Sequence, residues 1–392
     1  MTLDEAAIRD RARALLAEHD PARTDRVTFL RARFDAGLAW VHYPEGLGGL
    51  GAPRELQQVV ERELEGTPQL DVGKMGIGLG MAAPTILTFG TEEQKRRYLR
   101  PLWTGEEIWC QLFSEPGAGS DLATLATRAV RDGDEWVVDG QKVWTSGAHL
   151  SRWAILVART DPDVPKHRGL TYFVCDMHAP GVDVRPLRQI TGEAEFNEVF
   201  LTGVRLPDTL RLGEVGEGWR VAQHTLMNER VAIGGAPGRR GGGLMGIVAR
   251  TWRERPEIRT HDLHGRLLHL WVEAEVTRLA GARLREQLAA GAPGPEGSGM
   301  KLAFARLNQA LSGIDVEMRG EEGLGYDDWT FRRSDTVDFV GRGPGYRYLR
   351  AKGNSIEGGT SEILRTIIAE RVLGLPAEPR VDKDVPWKDL PR

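Results

Sequence analysis

Cysteine is nearly absent: Cys110 and Cys175 are the two in 392 residues. They lie far apart and form neither a C-x-x-C pair nor a disulfide framework, so both read as buried small hydrophobes. A basic excess is lacking as well. With 52 Lys and Arg against 56 Asp and Glu, and a formal net charge of −4, the chain has no electrostatic footprint of a nucleic-acid binder. Clusters such as RARFD and RRSD accordingly read as solvated helix faces. No segment approaches the ~18 to 20 apolar residues that span a membrane. The N-terminal MTLDEAAIRDRARALLAEHD has no unbroken apolar core, so it is not read as a secretory leader, and a cytoplasmic location is expected. His261, His264 and His269 lack the pairing of a zinc helix, so no metal site is expected.

What is present divides into three zones, as a chain of this length should at ~100 to 200 residues per domain. Residues 1–112 carry apolar residues at helical spacing in AAIRDRARALLAEH and PRELQQVVERELEG. The glycine- and proline-rich YPEGLGGLGAP between them reads as a loop. In FGTEEQKRRYLRPLWTGE, Thr91 is a candidate N-cap and Pro101 a candidate helix end. Residues 113–212 alternate β-branched or aromatic with polar residues in WAILVART, LTYFVCDM and EFNEVFLTGVRLP, and Asp-Gly pairs in RDGDEW and VDGQK predict tight turns between antiparallel strands. Residues 213–392 return to the helical period, interrupted by GGAPGRRGGG and GAPGPEGSG. The expected fold is α+β and multidomain: an N-terminal helical domain, a central antiparallel β-barrel or sandwich, and a C-terminal helical bundle.

Four stretches can carry chemistry. In QLFSEPGAGSDLA, Gly117 and Gly119 permit close backbone approach, and Ser114 and Ser120 can donate hydrogen bonds to an anion or a heteroaromatic ring. A connecting turn explains the same residues. Trp144, followed by Thr145 and Ser146, suits the wall of a planar cofactor or an ordinary core. Glu229 and Arg230 follow Met227 on a helix, and a partly desolvated carboxylate there would suit proton abstraction. A surface glutamate is the plainer alternative. In SIEGGTSEILRTIIAERVLG, a glycine pair precedes Thr360, a candidate helix cap.

Taken in order, FSEPGAGSD, DGQKVWTSGA, VRLPD with GEVGEGW, NER, and GGTSEILRTIIAERVLG make the whole chain resemble the acyl-CoA dehydrogenase family. The resemblance implies FAD and removal of the α-hydrogen of an acyl-CoA thioester as a proton while the β-hydrogen leaves as hydride to flavin N5. It assigns the cofactor contacts to Phe113, Ser114, Gly119, Ser120, Trp144, Ser146, Thr360 and Glu362, and substrate contacts to Ser120, Arg230 and Gly358. It implies electron-transfer flavoprotein as acceptor and a homodimer or homotetramer, with a heteromer as a further option.

Two departures from the family pattern stand out. The catalytic Glu that many members carry two residues before Thr360 is here Gly358, with Glu357 adjacent. Another branch places its base on the earlier helix, at the position of Glu229. Glu229 is therefore the expected base and Glu357 the alternative. The arginine and glutamine stretches that members lend to a neighbouring subunit's FAD are also missing: Arg319 stands where Gln would, and Glu322 where the first Gly would. Two other readings remain, a flavin monooxygenase or nitroalkane-oxidase-like enzyme of the same fold, and a non-catalytic partner subunit.

Overall fold

The computed structural model describes residues 3–233, 239–290, 295–326, 328–335 and 341–391, with the backbone alone at 230–233, 285 and 288–290. The chain divides into two compact units, Met1–Arg185 with Asn197–Thr225 and Val381–Arg392, and Pro186–Phe196 with Leu226–Arg380.

The first unit begins with helices α1 (Glu5–Glu18), α2 (Arg26–Asp35), α3 (Gln57–Glu63), α4 (Val72–Ile77), α5 (Ala83–Phe89) and α6 (Glu92–Thr104). Asp4 and Asp25 cap the first two through their carboxylates, satisfying N–H groups that the helices leave unpaired. The apolar stripes of α1 to α3 meet in a core of Ile8, Ala12, Phe29, Leu38, Val60 and Leu64. Thr91 caps α6 in a reciprocal box with Gln94. Pro101 does not end this helix. It sits inside it, and the stop comes at Gly105 in the left-handed conformation. Arg33 corrects another expectation: far from being solvated, its guanidinium is buried over the Trp103 ring and bonded to Glu61 and the Leu38 carbonyl.

One run, Val72–Phe89, does reach 18 residues with a mean hydropathy of 1.2, long and apolar enough by composition to cross a membrane. It consists of α4, a wider π turn and α5, and Met75, Met81, Ala82 and Ile86 are buried along it. A core helix passes the same test, so this run carries little weight.

Strands β1 (Trp109–Leu112), β2 (Arg128–Asp132), β3 (Glu135–Ser146), β4 (Trp153–Arg159), β5 (Leu170–Asp176), β6 (Val182–Pro186) and β7 (Phe196–Pro207) form a seven-stranded sheet in the order β1-β4-β2-β3-β7-β6, with β5 on β4. The β2–β3 hairpin is antiparallel, turning at Gly133, and β4–β5 is antiparallel too. However, β1 and β2 each pair with β4 in parallel, so the sheet is mixed. The parallel pairs join strands separated by long connections, which hairpin signals cannot reveal. Cys110 and Cys175 both face Ala154 in register from opposite sides, and burial pushes each thiol up to about 12.

The second Asp-Gly pair is not a turn. Gly140 lies inside β3, where a Cβ would fall 2.3 Å from Thr127 Oγ1 and 2.7 Å from its Cα. The glycine is there for close backbone approach. Near the end of the chain, Trp387 donates its indole N–H to the Thr124 carbonyl at 3.0 Å and stacks under Arg159. The Trp387 and Lys388 amides bond to the Val164 and Pro162 carbonyls, and Lys166 joins Asp121 to Asp382.

Helix α7 (Gly218–Ile233) starts in the first unit and continues into the second. There follow α8 (Gly243–Glu254), α9 (His261–Ala290), α10 (Gly297–Glu317), α11 (Pro344–Ala351) and α12 (Ser361–Ile367). Leu244, Val248, Leu263, Leu267, Leu311 and Ile314 form the core of α8 to α10. Residues 234–238 of GGAPGRRGGG and 291–294 of GAPGPEGSG lie outside the described residues.

Replacing Gly140 by Val forces a side chain into the Thr127 backbone, and overpacking of this kind costs about 1 to 3 kcal/mol. We expect a lower urea midpoint with an unchanged m-value, whereas Gly133→Asn, at a left-handed turn open to solvent, leaves the midpoint nearly in place.

Candidate active site

The expected site residues fall into two groups, one in each unit. In the first unit, β1 delivers the chain into FSEPGAGSD. Phe113 is buried edge-on against Tyr172 with ring centroids 5.8 Å apart. The Ser114 carbonyl accepts from the Val143 amide at 2.9 Å, which ties this loop to the C-terminal part of β3. Gly119 and Ser120 are exposed, and a Cβ at Gly117 or Gly119 would meet no protein atom within 4 Å. Packing within this chain therefore does not demand glycine at either position.

At the end of β3, Trp144 has φ +60°, the one non-glycine among the described residues in that left-handed region. Its side chain is 58% exposed. A large indole held out to solvent on strained backbone costs stability, a combination that clusters at binding sites. Thr145 is buried with its hydroxyl unpaired, and Ser146 is half-buried. These features fit a planar ring system with polar edges.

A residue pair that the sequence reading overlooked holds the loop. Lys142 is 0% exposed and donates to Glu115 Oε1 at 2.8 Å, the Phe113 carbonyl at 3.0 Å and the Val157 carbonyl at 2.9 Å. Three acceptors match the three protons of an ammonium. Glu115 also accepts from the Ala126 and Thr127 amides at 2.6 and 2.9 Å. Burial opposes its charge, but Lys142 and these donors outweigh that and hold the carboxyl below its ordinary range. Arg159 adds bonds to the Ala123, Leu125 and Lys166 carbonyls. Glu115 and Lys142 both lie inside quoted motifs, so the motifs were their only sequence signal.

In the second unit, Glu229 is half-buried on α7. The side chain of Arg230 lies outside the described residues. Glu357 is committed: Arg350 grips both its oxygens at 3.2 and 2.9 Å, and Asn354 donates to Oε1 at 2.6 Å. Gly358 has φ +63° and Gly359 φ +91°. A side chain at either position would be strained. Thr360 caps α12 by accepting from the Ile363 amide, and Glu362 is exposed in its first turn beside Arg365. Lys301, from α10, donates to the Gly359 carbonyl at 2.7 Å. Behind Arg350, Glu195 is buried and pushed up to about 7, chiefly by desolvation, with Arg350 opposing the rise and Glu193 and Glu357 adding to it. A groove of about 1020 Å³ between α9 and α10 contains none of these residues.

Sequence models of the acyl-CoA dehydrogenase N-terminal, middle and C-terminal domains match residues 2–106, 110–204 and 216–373. The chain belongs to the acyl-CoA dehydrogenase family. Acyl-CoA dehydrogenase FadE34 of Mycobacterium tuberculosis is 42% identical over 348 residues, or 87% of this chain and 45% of that protein, so the chain spans less than half of this relative. Acyl-CoA dehydrogenase IpdE1 of the same organism is 38% identical over 88% of this chain and 86% of its own length. The solved structure of the Tcur3481-Tcur3483 steroid ACAD matches with a TM-score of 0.73 at 25% identity, covering 95% of this chain and 97% of that one. An acyl-CoA dehydrogenase is an oxidoreductase, and members of the family are FAD flavoproteins.

The two positions where this acyl-CoA dehydrogenase departs from the family's FAD-lending stretch have other partners. Arg319 bonds to Asp315 at 3.3 Å and Thr251 at 3.1 Å, and Glu322 pairs with Arg255 at 3.1 Å. An exposed carboxylate would repel a diphosphate, so this stretch does not fit that end of FAD.

Lys142→Met leaves Glu115 buried without its counter-charge, and removal of one partner of such a pair costs about 3 to 5 kcal/mol. The expected result is a lower denaturation midpoint together with weaker flavin retention on gel filtration. For Glu195, the folded carboxyl keeps its proton up to about 7 while the unfolded one loses it at ~4.3. Between those values the folded chain binds the extra proton, so this group's contribution to stability falls as pH rises. Glu195→Gln should flatten that slope in urea midpoints measured from pH 4.5 to 7.5.

Proposed function

We propose that this chain oxidises an acyl-CoA thioester to the 2,3-enoyl-CoA, with Glu229 as the base that takes the α-proton. The observation that supports this choice is the fate of the alternative. Glu357 accepts two charge-assisted bonds from Arg350 and one from Asn354. Both its oxygens are thereby held by side chains of the same segment, which aims them at the Arg350 guanidinium and away from a role as a mobile base. The family's usual base position is Gly358, whose left-handed φ disfavours any side chain. Glu229 stands on the regular helix α7 and is half-buried.

In this reading the family resemblance assigns flavin contacts to Trp144, Ser146, Phe113, Ser114, Gly119 and Ser120 of the first unit and to Thr360 and Glu362 of the second. It assigns substrate contacts to Ser120, Arg230 and Gly358. Bound FAD supplies the acceptor for the β-hydride. The chain's own task is to hold the thioester so that Glu229 reaches its second carbon, and to offer hydrogen-bond donors to the carbonyl as enolate-like charge develops.

Two further elements belong to the proposal. Because Arg319 and Glu322 are tied within the chain, the diphosphate end of FAD is met by other groups, and a non-identical partner subunit is the arrangement we favour. The solved steroid ACAD is named for two proteins, Tcur3481 and Tcur3483, which supports both a paired assembly and a sterol side chain as acyl group. Electron-transfer flavoprotein is the proposed acceptor.

The test is anaerobic mixing of flavin-loaded protein with a panel of acyl-CoA thioesters while flavin absorbance is followed. Glu229→Gln should keep its flavin and slow bleaching by about 10² to 10⁴, the usual worth of a positioned base. Glu357→Gln should slow it far less. Undiminished bleaching in Glu229→Gln overturns the assignment, and rapid oxygen consumption in place of enoyl product points to the oxidase reading.

A further inference from the structure

Just after Gly119 and Ser120 the chain makes a short turn, Leu122–Thr124, and three successive carbonyls there are held by distant side chains. Arg159 of β4 donates to the Ala123 carbonyl at 2.6 Å and to the Leu125 carbonyl at 3.2 and 3.3 Å. The Thr124 carbonyl between them accepts from the Trp387 indole N–H at 3.0 Å. The Trp387 ring also covers the guanidinium, with Arg159 Cζ 4.6 Å from its centroid. Arg159 is 3% exposed, and burial pushes it down to about 10. An indole face stabilises a cation that water does not reach. One aromatic side chain therefore makes one of the carbonyl bonds and shelters the cation that makes the others.

Trp387 belongs to residues 381–391, which lie along the β4–β5 connection. The Trp387 and Lys388 amides bond to the Val164 and Pro162 carbonyls at 2.9 and 3.0 Å, and Lys388 pairs with Asp163 at 2.6 Å. Those contacts anchor the segment itself. The indole reaches past them to the loop, and so does Asp382, which shares Lys166 with Asp121, the neighbour of Ser120. All of these residues lie in the first unit. Lys142 and Glu115 fix the upstream limb of FSEPGAGSD, and Arg159, Trp387 and Lys166 fix the downstream one. Gly117 and Gly119, between the limbs, have open space where a Cβ would stand, so the course of the tip depends on its two anchored ends.

We propose that Trp387 is a positioning residue for the dehydrogenation: it clamps Leu122–Leu125 and so fixes the backbone from which Gly119 and Ser120 meet flavin and thioester. The inference rests on the assignment of those two residues in the function proposed above. A clamped limb is ordered before its ligands arrive. A loose one must be ordered as they bind, and that cost is read as lost affinity.

Hydrogen exchange of the flavin-free protein reads the clamp directly. In Trp387→Ala, the amides of residues 117–126 should exchange about 10- to 100-fold faster, for loss of one hydrogen bond and one desolvated cation–π contact, while those of α1 and α2 keep the parent rate. Trp387→Phe keeps a ring for Arg159 and loses the N–H, so its exchange should stay within about tenfold of the parent. In the flavin-loaded enzyme, Trp387→Ala should raise the FAD dissociation constant and KM by about tenfold and leave kcat within about threefold; Trp387→Phe should recover most of both. Should Trp387→Ala not fold, the double change Trp387→Phe, Asp382→Asn takes its place, with shifts in the same direction. Parent exchange rates in 117–126, or a rise shared equally by α1 and α2, overturns the proposal and leaves Trp387 an anchor of its own segment. Faster exchange confined to 117–126, with FAD affinity and KM unmoved, instead removes the assignment of Gly119 and Ser120, a result separable from the first.

Discussion

A lysine ammonium with no access to water must find an acceptor for each of its protons, and Lys142 finds all three where the sheet meets the FSEPGAGSD loop. The Phe113 carbonyl and the Glu115 carboxylate belong to the loop; the Val157 carbonyl belongs to β4. Desolvation makes any other loop path expensive, because a displaced carbonyl would leave a buried positive charge under-paired. Glu115 then draws in the amides of Ala126 and Thr127, and Gly140 lets β3 approach Thr127 closely enough for that geometry. A stretch rich in glycine, which local preferences would leave mobile, acquires one conformation from a charge on a neighbouring strand.

The second unit uses the same device independently. Lys301 holds a carbonyl of its own glycine pair, and Arg350 grips the carboxylate that precedes it. In both units a cation on regular structure pins a segment whose glycines permit close approach by other groups. The arrangement separates two demands that a single residue cannot meet: open space and permissive backbone on one side, rigidity on the other.

Much of this architecture was legible in the sequence. The helical and strand periods told helices from sheet, Thr91 as N-cap marked the start of α6, and the first Asp-Gly pair marked the β2–β3 hairpin. The second Asp-Gly pair failed because glycine has two uses, a left-handed turn and close backbone contact, and only neighbours in space distinguish them. Pro101 failed because a proline in a helix is tolerated where the surrounding contacts hold. The parallel partners of β4 had no local signature. Arg33, Lys142 and Lys301 were misread or passed over for a shared reason: a cation among polar residues looks like a solvated face unless its distant acceptors are known. At the candidate site, the motifs pointed to Glu229, Glu357 and Trp144, but the engagement of Glu357 with Arg350 is a contact between side chains that no spacing rule announces.

The indole of Trp387 under Arg159, with Lys166 spanning Asp121 and Asp382, joins the first unit to residues far along the sequence, Trp387 following the Thr124 it bonds by 263 residues. Closing so large a loop costs chain entropy before these contacts return anything, so in refolding they are expected to form late, after the hairpins of the sheet.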